Sequence, residues 1–374
     1  MNRPLSRAIG LGSAATLLVA MAVPGAAQSP PSDPPASPAV SDAMAVGPIE
    51  WKRVTKGKDF TSNPEVYSVA QLPDGRLVVV GDITDSAGPT GAMWSSADGR
   101  KWTRAKIKAP AGSIIISVAH AGTTIVATGA NGDGTGLLWT STDGSEWQSA
   151  DGPSGVIYGL LASDAGGFVG AGVEGGAATV WSSPDGATWR AETLASSGRA
   201  LHVAQGLDGS LVVAGAVTDE AGNSAPVTWY SEDGSTWTET ALDGLLPGSW
   251  SVPAMAFTPA GFVLTLSEPG ESGSIGHVWW SADGMAWQET LVDDAGTLSA
   301  VGTAGTDALL IGHGQVLRSP DGITWTPSGE SSFEGWSVRD LMTLTDGRLF
   351  ADGDAFSGTG SSMAVWIGEA APVS

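Results

Sequence analysis

From residue 48 onward the chain carries apolar runs of about five or six residues, each broken by a polar, glycine-bearing turn. In the first unit Tyr67-Ser-Val-Ala-Gln-Leu and Leu77-Val-Val-Val-Gly flank Pro73-Asp74-Gly75. In the second, Ile115-Ile-Ser-Val-Ala-His is followed by Thr124-Ile-Val-Ala-Thr-Gly, and in the fourth, Leu201-His-Val-Ala-Gln and Leu211-Val-Val-Ala-Gly flank Asp208-Gly209. Short runs rich in β-branched residues and split by Asp, Pro and Gly predict strands joined by tight turns. None of these segments shows the 3.6-residue spacing of a helix.

A fixed motif follows each pair of runs. The core S-x-D-G-x-x-W recurs over Trp94–Trp102, Trp139–Trp147, Trp181–Trp189, Trp229–Trp237, Trp279–Trp287 and Leu317–Trp325. Its acids are Asp98, Asp143, Asp185, Asp233, Asp283 and Asp321. Steps of 38 to 50 residues between them indicate loops of different length on a common scaffold. A seventh unit begins at Trp336-Ser-Val-Arg-Asp-Leu, turns at Asp346-Gly347 and ends with Met363-Ala-Val-Trp-Ile, one strand short. The missing strand matches Ile49-Glu-Trp51-Lys-Arg-Val, which aligns with Arg100-Lys-Trp102-Thr-Arg-Ala. The prediction is an all-β, seven-bladed β-propeller of four-stranded antiparallel blades over residues 48–371, the last blade closed by the N-terminal strand. Closure in this way removes free sheet edges.

The motif reads as a turn. Ser183-Pro184-Asp185-Gly186 and Ser319-Pro320-Asp321-Gly322 fit a type I turn with glycine in the left-handed position, and the Asp carboxylates are expected to accept the turn's own N–H groups. A three-residue loop would place Trp94 opposite Trp102 as a cross-strand pair. On the same rule Trp51 would meet Trp366. The indoles fall into two columns, Trp51, Trp102, Trp147, Trp189, Trp237, Trp287 and Trp325 against Trp94, Trp139, Trp181, Trp229, Trp279 and Trp366, leaving only Trp250, Trp280 and Trp336 outside. Both columns are assigned a structural role between blades.

Composition then narrows the function. With 17 Lys+Arg against 39 Asp+Glu the formal charge is −22, which argues against nucleic acid and anionic membrane surfaces as partners. The absence of cysteine excludes disulfides and thiolate chemistry. Residues 1–27 carry Arg3 and Arg7, an apolar run from Ala8 to Val23 and Pro24-Gly25-Ala26-Ala27, the pattern of a secretory signal peptide. Residues 28–47, rich in Pro, Ser and Ala, read as a disordered linker. A secreted or envelope-associated monomer without a transmembrane span is therefore expected.

The repeats resemble the Asp-box (BNR) repeats of sialidase-like β-propellers, although here Asp directly precedes Gly where that family's pattern, S-x-D-x-G-x-x-W, has one residue between them. The resemblance implies that the Asp-box lies on the rim opposite the functional face. It also implies exo-sialidases, other glycosidases, assembly factors and binding domains as functional classes. Sialidases of the family use three arginines, a Tyr/Glu nucleophile and an Arg-Ile-Pro motif. No Arg-Ile-Pro occurs here, and between Ala109 and Leu317 the only basic residues are Arg190 and Arg199. Arg199 and Arg339 stand near the starts of inner strands, while Arg53, Arg104 and Arg318 read as outer-strand residues.

The expected function is therefore a non-catalytic extracellular binding or scaffolding module, with an extracellular glycoside hydrolase as the alternative. Its partner would be a glycan, a protein or a peptide on the top face. The candidate ligand-binding residues start from the column preceding each inner strand: Tyr67, Ile116, Tyr158, Leu201, Trp250, Leu298 and Trp336. Its four aromatics suggest a channel mouth able to stack on sugar rings or grip a peptide, with ordinary packing at the strand entry as the blander and favoured reading. Asp340, Asp352 and Asp354, with Glu334 before them, cluster near Arg339, and the bland reading makes them solvated loop acids. His120, His202, His277 and His313 lack metal-ligand spacing, so no metal or other cofactor is expected. Asn131-Gly-Asp133-Gly and Asp352-Gly-Asp354 are the only pieces suggesting Ca²⁺, and weakly.

Overall fold

The computed structural model describes residues 47–54, 60, 64–242, 244–245, 248, 250–270, 273–290, 297–312, 314–328, 333–357 and 360–370. The signal-peptide segment, nearly all of the linker and His313 lie outside them.

Each apolar run forms a strand, and the strands assemble into seven four-stranded antiparallel sheets. Together they make a seven-bladed β-propeller, and no helix occurs among the described residues. Blade 1 runs from its inner strand, Pro64–Gln71, through Leu77–Asp85 and Gly88–Ser96 to Thr103–Arg104. In blade 7, Ser337–Thr343, Leu349–Ser357 and Gly360–Ala370 are completed by Ile49–Arg53 from the other end of the propeller segment. That last strand pairs antiparallel with Gly360–Ala370. The hydrophobic cores lie between blades. Val66, Val79 and Trp94 of blade 1 pack with Phe350, Val365 and Ile367 of blade 7, and Ala70, Val78 and Val80 pack with Ile115, Val118 and Trp139 of blade 2.

The register of the outer hairpin corrects the expected indole pairing. Trp94 lies opposite Arg104, Trp139 opposite Ser149, Trp181 opposite Ala191 and Trp229 opposite Glu239, two residues beyond the tryptophan of the same motif. Likewise Trp51 pairs with Gly368, and Trp366 with Arg53. The loop is longer than three residues because the motif folds onto itself. Ser183 Oγ accepts the Gly186 N–H (2.8 Å), Asp185 Oδ1 accepts those of Ala187 (2.9 Å) and Thr188 (2.7 Å), and Trp189 Nε1 donates to the Gly186 carbonyl (3.2 Å). These bonds hold the Asp185 carboxyl below the usual range, the Thr188 and Ala187 N–H groups being the largest causes. Gly186 takes φ +77°, the left-handed region. Trp51 and Trp366 instead meet through Phe333, whose ring stands 5.0 Å from one and 5.1 Å from the other, edge to face in both cases.

The buried Gly186 N–H has its partner in Ser183, so Ser183→Ala is expected to cost about 1 to 2 kcal/mol, read from the shift of the chemical denaturation curve. A neutral substitution would mean that the serine is not holding the turn.

Candidate functional site

Every inner strand contains a β-bulge against its neighbour. The shifts fall between Val66 and Ser68, Ile115 and Ser117, Ile157 and Gly159, Ala200 and His202, Ser251 and Ala254, Leu298 and Ala300, and Val338 and Asp340. A bulge turns one side chain out of the alternation and re-aims it. The bulged residues Tyr67, Ile116, Tyr158, Pro253, Ser299 and Arg339 line a central cavity of about 460 Å³ together with their strand neighbours.

This geometry revises the predicted aromatic column. Tyr67 and Tyr158 do line the cavity, but the blade 7 counterpart of Tyr67 is Arg339, not Trp336, and the blade 6 counterpart is Ser299, not the buried Leu298. Trp336 packs edge to face on Trp366 with Arg53 4.9 Å above its ring, and Trp250 lies edge to face against His277. Neither indole reaches the cavity lining. Arg199 is exposed at the entry of the blade 4 inner strand, also outside the lining, and Arg318 sits on a third strand rather than an outer one. The bulges escape a reading based on strict alternation, because each skips a residue without leaving a sequence mark.

Of the residues named from the sequence, the structure brings together Tyr67, Arg339, Asp340, Asp352 and Asp354, and it adds Glu65 and Asp82. All belong to the seam where blade 7 meets blade 1. The Tyr67 hydroxyl donates to Glu65 Oε2 and Asp82 Oδ1, alternative acceptors at 2.9 Å each. The Arg339 guanidinium lies 5.1 Å from the Tyr67 ring centroid, bonds Asp354 through Nε and reaches Glu65 at 3.8 Å. Asp340 and Asp352 face each other across the two inner strands of blade 7. Asp352 is 0% exposed and neither of its oxygens makes a well-formed hydrogen bond, the Asp340 backbone being the one group near enough to act as a weak donor; Asp340 Oδ2 and Asp354 Oδ2 are also buried and unpartnered.

Of the acids expected in solvated loops, Glu334 is exposed in a turn, whereas Asp340, Asp352 and Asp354 are strand residues, the last two fully buried. The Asp352-Gly-Asp354 piece is the middle of a strand, not a calcium loop, and Asp133 bonds the Thr135 N–H of its own turn (2.9 Å). Among the described residues no group of three or more His, Asp or Glu side chains is placed to hold a metal ion.

The propeller supplies its own control for these positions. The residues equivalent to Asp352 in blades 1 to 6 are Val80, Thr128, Ala171, Ala214, Thr265 and Ile311, and those equivalent to Asp340 are Ser68, Ser117, Gly159, His202, Ala254 and Ala300. Blade 7 alone carries a carboxyl at either place. Asp82 and Asp354 are themselves equivalent, each following the glycine of its second strand. Gly81 allows the close approach there, since a Cβ would stand 1.8 Å from the Glu65 carbonyl oxygen.

Burial sets the protonation of the cluster. It pushes Asp340 up to about 7 against the opposing charge of Arg339, and raises Asp352 well above the carboxylate range, with the charge of Asp340 adding to it. Burial also raises Asp82, and raises the Tyr67 phenol, to which Asp82 and Glu65 add. Arg339 is held above its ordinary value by Asp354, although burial works the other way. Across the cavity His202 bonds the Val252 carbonyl (2.8 Å) and burial keeps its pKa low. The site therefore combines one engaged guanidinium, a phenol locked in its neutral form and a carboxyl pair that holds protons near neutrality.

No family profile matches this chain, and no curated protein matches its sequence. Solved structures do match its fold. YCF48 bound to a D1 peptide aligns over 88% of this chain and 98% of that one, at TM-score 0.58 and 16% identity. The Penicillium chrysogenum alpha-L-arabinanase complexed with arabinobiose aligns over 87% and 98%, at TM-score 0.50 and 14% identity. The NanB sialidase of Streptococcus pneumoniae aligns over 85% and 70%, at TM-score 0.50 and 10% identity. At these identities the likeness is one of fold.

Proposed function

We propose that this is an exported Asp-box propeller that binds a ligand in its central channel, as a recognition or scaffolding module rather than a hydrolase. The observation that carries the reading is the engagement of the polar groups at the channel wall. Arg339, among the described residues the only Lys or Arg lining the cavity, is bonded to buried Asp354, and the Tyr67 hydroxyl is held by two carboxylates. A guanidinium so committed is poorly placed to capture a substrate carboxylate, and a phenol with a raised pKa is a poor nucleophile. The signal-peptide pattern and the acidic surface accord with an extracellular monomer tethered or released by residues 28–47. Peptide and glycan ligands both occur among proteins of this fold, since YCF48 is bound to a D1 peptide and the arabinanase to arabinobiose.

One observation favours the hydrolase alternative: a carboxyl that keeps its proton near neutrality, as Asp340 does, is what a general acid requires. Binding arrays of peptides and glycans, run beside chromogenic glycosides, separate the two. The proposal expects binding that Tyr158→Ala weakens about tenfold, a loss on the order of 1.4 kcal/mol, without changing the fold. Turnover abolished by Asp340→Asn would overturn it in favour of hydrolysis.

A further inference from the structure

Resting on the reading of the channel as a binding site, we propose that its blade 7 wall receives the cationic side chain of a lysine or arginine carried by an extended peptide. Five carboxyls are strung along the seam, Glu65 and Asp82 from blade 1 linked through Tyr67, Asp354 linked to Glu65 through Arg339, and Asp352 opposite Asp340. Asp340 opens on the cavity. Directly across from it Asp352, wholly buried, has both oxygens without a well-formed hydrogen bond. Uncompensated carboxyl oxygens in a buried place are costly, and six other blades show that the fold does not require them there. A cation arriving at Asp340 supplies the missing charge.

The rest of the wall selects the carrier. Ile116, Leu160 and Met255 give the wall apolar surface and Tyr158 an aromatic face, set among the hydroxyls of Ser68, Ser117, Ser299 and Ser337. An aliphatic stem ending in a cation can lie along such a surface with its charge at the far end. The net charge of −22 also favours the approach of a basic peptide.

Protons and the cation compete for the same carboxyls. Arg339 and Asp352 stand next to Asp340, Tyr67, Tyr158 and His202 share the cavity with it, and Glu65, Asp82 and Asp354 lie behind Tyr67 and Arg339. His202 stays neutral and Arg339 stays charged near pH 7, so the groups that change state are the buried acids. Ionisation above the Asp340 midpoint creates the site, and protonation below it removes the site. Binding therefore weakens as pH falls, and releases protons when it occurs near neutrality.

The test is calorimetric titration of the whole protein with five-residue peptides blocked at both ends, carrying lysine, arginine or norleucine at the centre. Glucosamine oligomers form a separate arm. At pH 8 the lysine and arginine peptides are expected to bind at least tenfold tighter than the norleucine peptide. That advantage should vanish at pH 5.5 and in Asp340→Asn, and proton release should appear as a dependence of the binding heat on the buffer. If all three peptides bind equally and Tyr158→Ala weakens them equally, the channel binds peptides without reading charge; the cation proposal falls and the binding function stands. Tighter, Asp340-dependent binding of glucosamine oligomers would overturn the peptide assignment. No binding in any arm would overturn both.

Discussion

Asp352→Asn should stabilise the protein at pH 8 and leave its stability at pH 3.5 nearly unchanged. In the folded state Asp352 is wholly buried, and its pKa stands well above the ordinary carboxyl value of 3.8. A group of this kind binds more protons folded than unfolded, so stability is greatest below the unfolded pKa and declines as pH rises through the folded one. For the Asp340–Asp352 pair that window opens near pH 4 and extends through pH 7 and above. Asparagine removes the charge while keeping the shape of the side chain. Chemical denaturation across the pH range reads the effect directly. A variant less stable than the parent at pH 8 would mean that Asp352 holds the seam together and is not a strained functional group.

Trp366→Ala is expected to cost about 3 to 5 kcal/mol at any pH, the range for emptying a large buried aromatic site. Its side chain is 2% exposed and packs edge to face on both Phe333 and Trp336, with ring centroids 5.1 Å away in each case. The same strand carries the N-terminal segment that closes the ring, with Trp366 opposite Arg53. Loss of the indole therefore loosens the core of blade 7 and the seat of its borrowed strand together. Because Trp51 also packs on Phe333, a double-mutant cycle between Trp51 and Trp366 should show coupling even though the two are not cross-strand partners. A cost under 1 kcal/mol for Trp366→Ala would show that ring closure does not depend on this cluster.

The fold was readable because the repeat displays it seven times over. Alternating apolar runs, the S-x-D-G-x-x-W turn and the match of residues 49–54 to residues 100–105 suffice to predict blades, blade number and terminal closure. The indole register was not readable, since the Ser183–Asp185 hydrogen-bond network adds length to the loop that residue types alone do not reveal. The site was readable in part. Tyr67, Tyr158, Arg339 and Asp340 reach the cavity, whereas the bulges carry the true column past Trp250 and Trp336 and leave those indoles in blade packing. Asp352 stands out in the sequence only as one of several clustered acids; that it is an acid where the other blades place Val, Thr, Ala or Ile emerges once the repeats are aligned through the bulge.

What unites the two halves of the account is that blade 7 departs from the repeat to set poorly compensated carboxyls into the channel wall. The pH titration of the Asp340 and Asp352 carboxyl carbons, followed by NMR, tests this most directly. The structure predicts an Asp340 midpoint near 7, with Asp352 titrating well above the ordinary range. Two simple titrations near pH 4 would contradict it, for they would describe hydrated acids and leave the channel without its unpaired charge.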